Sequence, residues 1–266
     1  MAIHTTDAIV LRHYRYRETS ALVSCMTDRY GKIKGLIKGL RGPAGKHRSA
    51  MEPLTLNRIV FYDTRTSPLH LITQCELLSG FVELTQELET MRFAASCGEL
   101  VDVLTETNEP QPAIFTLLRD TLERLSASMH ALLPVRIHFI LRLLRLVGFQ
   151  PQLDQCVACG RPAQGQRAFW SVRQGGLMCE GCLHQDPRAH PIAPEFLAAM
   201  SRCAEADEPQ ALEPAQAQAL HRKVDEFLRW RVDRPLKAMG APGNGQLSHA
   251  TAAWRRQRTP AIPGAA

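Results

Sequence analysis

No stretch of this chain offers the roughly 18 uncharged apolar residues that a membrane-spanning helix needs. Its start, Met1 to Asp7, has neither a basic head nor an apolar run, so no secretory leader is expected. The common catalytic signatures are missing as well. There is no Gly-x-x-x-x-Gly-Lys-Ser/Thr phosphate loop, which excludes a nucleotide hydrolase of that class. Neither a Gly-x-Ser-x-Gly nucleophile turn nor a His-Glu-x-x-His zinc helix is present. Acidic residues are absent from the whole interval between Asp28 and Glu52. These gaps move the expectation away from membrane proteins and familiar hydrolases and toward a soluble binding protein.

Four of the eight cysteines, Cys25, Cys75, Cys97 and Cys203, are scattered among apolar neighbours and read as buried reduced thiols. That usage points to a cytoplasmic location. The other four form a pattern: Cys156-Val-Ala-Cys159, nineteen residues, then Cys179-Glu-Gly-Cys182. Two such pairs match a four-thiolate zinc site. Two intervening residues let one tight turn offer two sulfurs to one ion, and four sulfurs complete a tetrahedron. With no coordination position left open, a zinc there is structural rather than catalytic. A redox dithiol is the rival reading of the same spacing.

The charge is uneven. The chain carries 32 Lys/Arg against 26 Asp/Glu, a net of +6, and residues 1–80 alone hold twelve against six, also +6. Those eighty residues read as five short strands: Asp7–Leu11 running on to Glu18, Ala21–Met26, Lys32–Lys38, Leu54–Tyr62 and Leu69–Cys75. With no helical run between them, a small closed or partly closed barrel is expected. The acid-free interval carries Arg29, Lys32, Lys34, Lys38, Arg41, Lys46 and Arg48, around a Gly/Pro-rich loop. Cations on a barrel and its loop suit a nucleic-acid backbone, because phosphate contact is largely counterion release. Tyr14, Tyr16 and Tyr30 are candidates to stack on unpaired bases, with ordinary strand packing as the alternative.

From Phe81 the period changes to three and four. Phe81, Leu84, Leu88, Met91 and Ala95 begin an apolar stripe that continues through Leu104. A second helix follows the break at Asn108–Pro112. A third opens at Pro134 and stops at Gly148, apolar almost all round, as the centre of a bundle would be. On it His138, Arg142 and Arg145 make one narrow polar stripe, with Arg136 on the other side. The stripe reads either as a solvent edge or as a cationic rim suited to an acidic peptide tail. Between the cysteine pairs, Ala168–Val172 looks like a strand whose aromatics cover the metal module. Helices resume at Pro194 and after Pro214.

The order of these parts resembles the RecO family of bacterial recombination mediators. The resemblance covers about residues 5–240. It rests on Leu11-Arg-His-Tyr-Arg-Tyr-Arg-Glu-Thr-Ser20, Thr27-Asp-Arg-Tyr-Gly31, Lys38-Gly-Leu-Arg41, Leu141-Arg-Leu-Leu-Arg-Leu-Val-Gly-Phe149 and Leu153-Asp-Gln-Cys-Val-Ala-Cys-Gly160 with Gly175-Gly-Leu-Met-Cys179. It implies an α+β multidomain chain: an N-terminal OB-fold β-barrel at 1–80, then an α-helical domain at 81–150 and 191–240. A C4 zinc module is inserted at 151–190, and a disordered basic tail follows at 241–266. It implies no catalysis. It implies binding of single- and double-stranded DNA at the nucleoid, annealing of complementary strands, and, with RecR, loading of RecA onto DNA coated by the single-strand-binding protein. The C-terminal tail of that coating protein would dock on the helical domain, at Arg136, Arg142 or Arg145. The alternative of another class is a ligase- or nuclease-type component, since barrels and C4 zinc modules also occur together there. Against it, the chain has no Lys-x-Asp-Gly nucleophile motif.

Overall fold

The computed structural model describes residues 2–39, 51–63, 69–127, 132–162 and 167–232. The expected DNA contacts Arg41, Lys46 and Arg48, and the expected tail at 241–266, lie outside those residues.

Alternation of apolar and polar residues produces five strands: β1 (Ile3–Tyr16), β2 (Ser20–Thr27), β3 (Gly31–Ile37), β4 (Leu56–Tyr62) and β5 (His70–Ser79). They close in the order β1-β2-β3-β5-β4, with β4 returning to β1. Only the β3–β5 contact is parallel. This is an OB-like barrel. Its interior holds Ala8, Val10, Val23, Cys25, Ile33, Ile59, Phe61 and Ile72. A bulge between Val10 and Arg12 shifts the register of β1 against β2. Alternation turns Ile9 and Leu11 away from Ala8 and Val10 and into the core of the helices, and the bulge re-aims the next residue, so that Arg12 pairs with Ser24 on that same outer face.

The chain then forms a 3-10 turn, Val82–Thr85, and three helices: α1 (Leu88–Leu104), α2 (Pro112–Ala127) and α3 (Leu132–Leu146). The expected stripe from Phe81 is thus broken by the turn. Leu88, assigned to its buried side, begins α1 and is 72% exposed. Helix α3 starts two residues before Pro134, and its stop is as expected. The amide of Gly148 donates to Arg145 and that of Phe149 to Leu144, which satisfies the last carbonyls of the helix. Seven of its apolar side chains are buried, and it packs against α1, α2, α4 (Pro194–Glu205) and α5 (Pro214–Arg231). A central position explains why this helix is apolar almost all round. Among the described residues, no helix is long and apolar enough to cross a membrane.

Between α3 and α4 lies a small sheet of β6 (Ala168–Ser171), β7 (Gly176–Cys179) and β8 (His190–Pro191), in the order β7-β6-β8. Strand alternation separates its two aromatics. Phe169 packs beside the cysteines. Trp170, 1% exposed, turns instead into the helical core and meets Phe227 of α5 at 5.6 Å between rings. The expectation that both aromatics cover the metal module therefore fails for Trp170.

Candidate nucleic-acid interface and metal centre

The outer face of β1-β2-β3 is built from cross-strand rows. Arg12, Ser24 and Lys34 form one row; Tyr14, Leu22 and Leu36 form the next; Tyr16 and Ser20 end the hairpin. Directly paired residues share a face, so these side chains lie together. Asp102 of α1 covers the border of this face. Its carboxylate meets Arg12 Nε at 2.5 Å, accepts from Ser24 Oγ at 2.9 Å, and lies 3.6 Å from Lys32 Nζ. Beyond that border, among the described residues, Tyr14, Tyr16 and Lys34 of the sheet and Lys38 just past β3 are exposed. Arg12 also donates to the Tyr14 hydroxyl at 3.2 Å, which orients that ring. The Arg17 guanidinium sits over the Tyr16 ring at 5.3 Å.

The four expected cations that fall among the described residues do not form one cluster. Lys34 and Lys38 are exposed and have no ion-pair partner among the described residues. Arg29 is exposed at the β2–β3 turn, 3.4 Å from Asp28, at the opposite end of β3 from Lys38. Lys32 lies on the same outer face but under α1, at 7% exposure, donates to the Asp102 carbonyl at 2.5 Å, and is withdrawn from solvent. Burial lowers its pKa, and the Asp102 carboxylate opposes that shift. Tyr30 is no open stacking platform either. Its hydroxyl pairs with His4 Nδ1 at 3.0 Å, and its ring packs edge-on against Phe61. The exposed Arg15 and Arg17 are not among the cations expected from the sequence, although the alternation Tyr14-Arg-Tyr-Arg17 at the end of β1 and into its turn carries the signal.

On the helical side, Arg136 is held by Asp225 at 3.4 Å and lies over the Phe93 ring at 5.2 Å. Arg142 pairs with Asp207 at 3.3 Å. Arg145 is exposed at the end of α3, next to the exposed Leu146. His138 is not at a solvent edge: it is 7% exposed.

The four sulfurs of Cys156, Cys159, Cys179 and Cys182 lie within 4.8 Å of one another. A tetrahedron with sulfur ~2.3 Å from zinc has edges of about 3.8 Å, and Cys159 and Cys179 are 3.7 Å apart. The local fold explains the gathering. The Gly160 amide donates to the Cys156 carbonyl, closing the first turn, and Gly160 takes φ +71, which glycine adopts without strain. The Val157 amide ties that turn to Leu177 of β7, and Cys182 sits in the 3-10 turn Glu180–Gln185. Arg161 leans over the cluster, its Nε 3.4 Å from Cys159 and Nη2 3.8 Å from Cys179. That guanidinium lowers the Cys159 thiol to about 6. Cys182 is pushed up to about 12 by its bond with Cys179 and by burial. The donor set, geometry and charge fit a divalent soft metal.

The profile described as Recombination protein O N terminal matches residues 1–81, and that described as Recombination protein O C terminal matches residues 85–240. Similar curated proteins carry the name DNA repair protein RecO. That of Desulfitobacterium hafniense is 29% identical over 185 residues, 70% of this chain and 66% of its own length. That of Salinibacter ruber is 29% identical over 237 residues, 87% of this chain and 89% of its own. That of Shouchella clausii is 32% identical over 190 residues, 71% of this chain and 73% of its own.

Proposed function

The chain belongs to the recombination protein O (RecO) family, and from that premise we propose that it is a mediator of DNA repair that binds DNA without catalysis. It holds single- and double-stranded DNA, anneals complementary strands and, with RecR, helps RecA onto DNA coated by the single-strand-binding protein. One observation carries this reading: the outer face of β1-β2-β3 leaves Tyr14, Tyr16, Lys34 and Lys38 exposed beyond the border set by Asp102. Cations there neutralise phosphates and release counterions. The two tyrosines offer faces to unpaired bases of any sequence. Arg15, Arg17 and Arg29, with Arg41, Lys46 and Arg48, extend the charge. Annealing then requires only that strand repulsion be screened while two strands are held close, with no bond made or broken by the protein.

Zinc bound by Cys156, Cys159, Cys179 and Cys182 supplies structure. Four thiolates around Zn²⁺ carry a net charge of −2, and Arg161 is placed to offset part of it. The module is too small for a core of its own, and the metal supplies much of its folding energy. The acidic tail of the single-strand-binding protein meets the helical side through Arg142 and the exposed Arg145. Arg136 acts there only by packing, since Asp225 and Phe93 hold it.

The experiment is annealing of complementary oligonucleotides, bare and coated with the single-strand-binding protein, run beside nick-sealing and cleavage assays. Faster annealing of the coated strands by the protein, with nicks and strands left intact, supports the mediator. Sealing or cutting at turnover rates makes it a ligase- or nuclease-type enzyme instead.

A further inference from the structure

The polar side chains of α3 meet an acidic turn of the same chain. Arg142 of α3 pairs with Asp207 at 3.3 Å, and Arg124 of α2 pairs with the adjacent Glu208. Both acids lie in the segment between α4 and α5, in the run Ala206-Asp-Glu-Pro209. His138 lies near enough to both arginines and both acids to feel their charge; it is 7% exposed, and its Nδ1 has no hydrogen-bond partner among the described residues. Two cations and an unpaired ring nitrogen thus converge on one spot, where a second helix supplies half of the charge. A site built only to pin the turn would not require a buried imidazole left unsatisfied, because such a group costs free energy unless something pairs with it.

The occupants are poorly anchored by comparison with their receptors. The Asp207 side chain is 89% exposed, and both pairs are exposed enough on the acid side to be weak and screened by salt. An acidic peptide bringing two carboxylates to the same arginines replaces the turn without leaving either guanidinium unpaired. We propose that Arg124, His138 and Arg142 form a receptor for paired carboxylates of an acidic peptide, and that the chain's own Asp207-Glu208 turn occupies it until a peptide displaces it. This rests on the reading that an acidic tail docks on the helical side, and it adds Arg124, His138 and a competing internal ligand to that reading. A receptor that is mostly self-occupied binds with an affinity reduced by the fraction of time it is open. The turn therefore sets a threshold: only a partner presenting many tails, or a tail at high local concentration, engages it.

The test uses the full chain and two labelled probes, a hexaglutamate peptide and the C-terminal peptide of the single-strand-binding protein. The double variant Asp207→Asn/Glu208→Gln keeps the volume of the turn and removes its charge. It is expected to bind hexaglutamate about tenfold more tightly than the unaltered chain, the effect of losing two weak competing pairs. Adding Arg124→Ala and Arg142→Ala to it abolishes the gain, while thermal melting confirms that the variants remain folded. Hexaglutamate affinity that is equal in the unaltered and neutralised chains overturns the proposal. If hexaglutamate behaves as expected and the tail peptide ignores the same substitutions, the receptor stands and the docking of that tail here is rejected. If the tail peptide binds tightly but neither probe responds to any of the four changes, the receptor is rejected and the tail docks elsewhere.

Discussion

The ammonium of Lys32 lies 3.6 Å from the Asp102 carboxylate and 2.5 Å from the Asp102 backbone oxygen, joining the barrel to α1. This pair decides which part of the β1-β2-β3 face is free. Lys32 and Lys34 share that face by strand alternation, yet α1 covers the first and leaves the second in solvent. Asp102→Asn strands a buried ammonium without its counter-charge, and the expected loss is about 3 kcal/mol of stability, measured by urea unfolding. Lys32→Met leaves Asp102 with Arg12 and Ser24, and the expected loss is only about 1 kcal/mol. Equal losses in the two variants would show that the pair is not what holds this junction.

His138 gives the protein an acid-sensitive core. Burial, Arg142 and Arg124 lower its pKa from the ordinary 6.5 to about 4, against a smaller pull from Glu208 and Asp207. Because the folded state resists the proton more than the unfolded state does, this group leaves stability unchanged above pH 6.5. It removes stability as the pH falls from 6.5 toward 4, and by pH 5 the deficit from this one group is about 2 kcal/mol. His138→Gln flattens that part of the curve. Urea melts of both proteins at pH 7 and pH 5 measure the difference. A fall of the same size in the variant would assign the acid sensitivity to other groups.

Zinc analysis separates a structural centre from a dithiol. The purified chain is expected to hold one zinc, and Cys182→Ser to lose it together with much of its thermal stability. The loss reaches beyond the module because Trp170 and Leu177 of β6 and β7 belong to the helical core. Arg161→Ala is expected to fold but to yield its zinc to a chelator about tenfold more readily, as for other groups that support metal ligands. Full zinc in Cys182→Ser would contradict the four-sulfur assignment.

The exposed rings make a separate contribution to DNA binding. Tyr14→Ala and Tyr16→Ala are each expected to weaken single-strand binding by about 1–3 kcal/mol at every salt concentration, if each stacks one base. Duplex affinity changes far less, since paired bases offer no open face. Equal weakening on both substrates would mean that the tyrosines only brace the hairpin.

The strands were legible because Lys32-Ile-Lys-Gly-Leu-Ile-Lys38 alternates so cleanly. The end of α3 was legible because Val147-Gly-Phe149 carries a glycine where the last carbonyls need closing. The sulfur cluster was legible from spacing alone, since two-residue gaps limit the turns that can form. What local pattern lacks is knowledge of the neighbour. Nothing in β3 distinguishes Lys32 from Lys34; the difference is made by Asp102, seventy residues away in sequence. His138 is spaced like a surface residue with Arg142 and Arg145, yet it is 7% exposed, near Arg124 of α2 and the acids that follow α4. Leu88 failed in the opposite sense. It fits the stripe, but the helix begins there, before the bundle has anything to lay against it.

The most direct test is the salt dependence of single-strand binding, since each phosphate contact contributes about 0.7 to the slope of log affinity against log salt. Lys34→Ala/Lys38→Ala is expected to lower the slope by about 1.4, while Lys32→Met, with its ammonium already committed to Asp102, leaves it unchanged. A slope that Lys34 and Lys38 do not alter, or that Lys32→Met lowers as much, would contradict the assignment of the open β1-β2-β3 face to DNA.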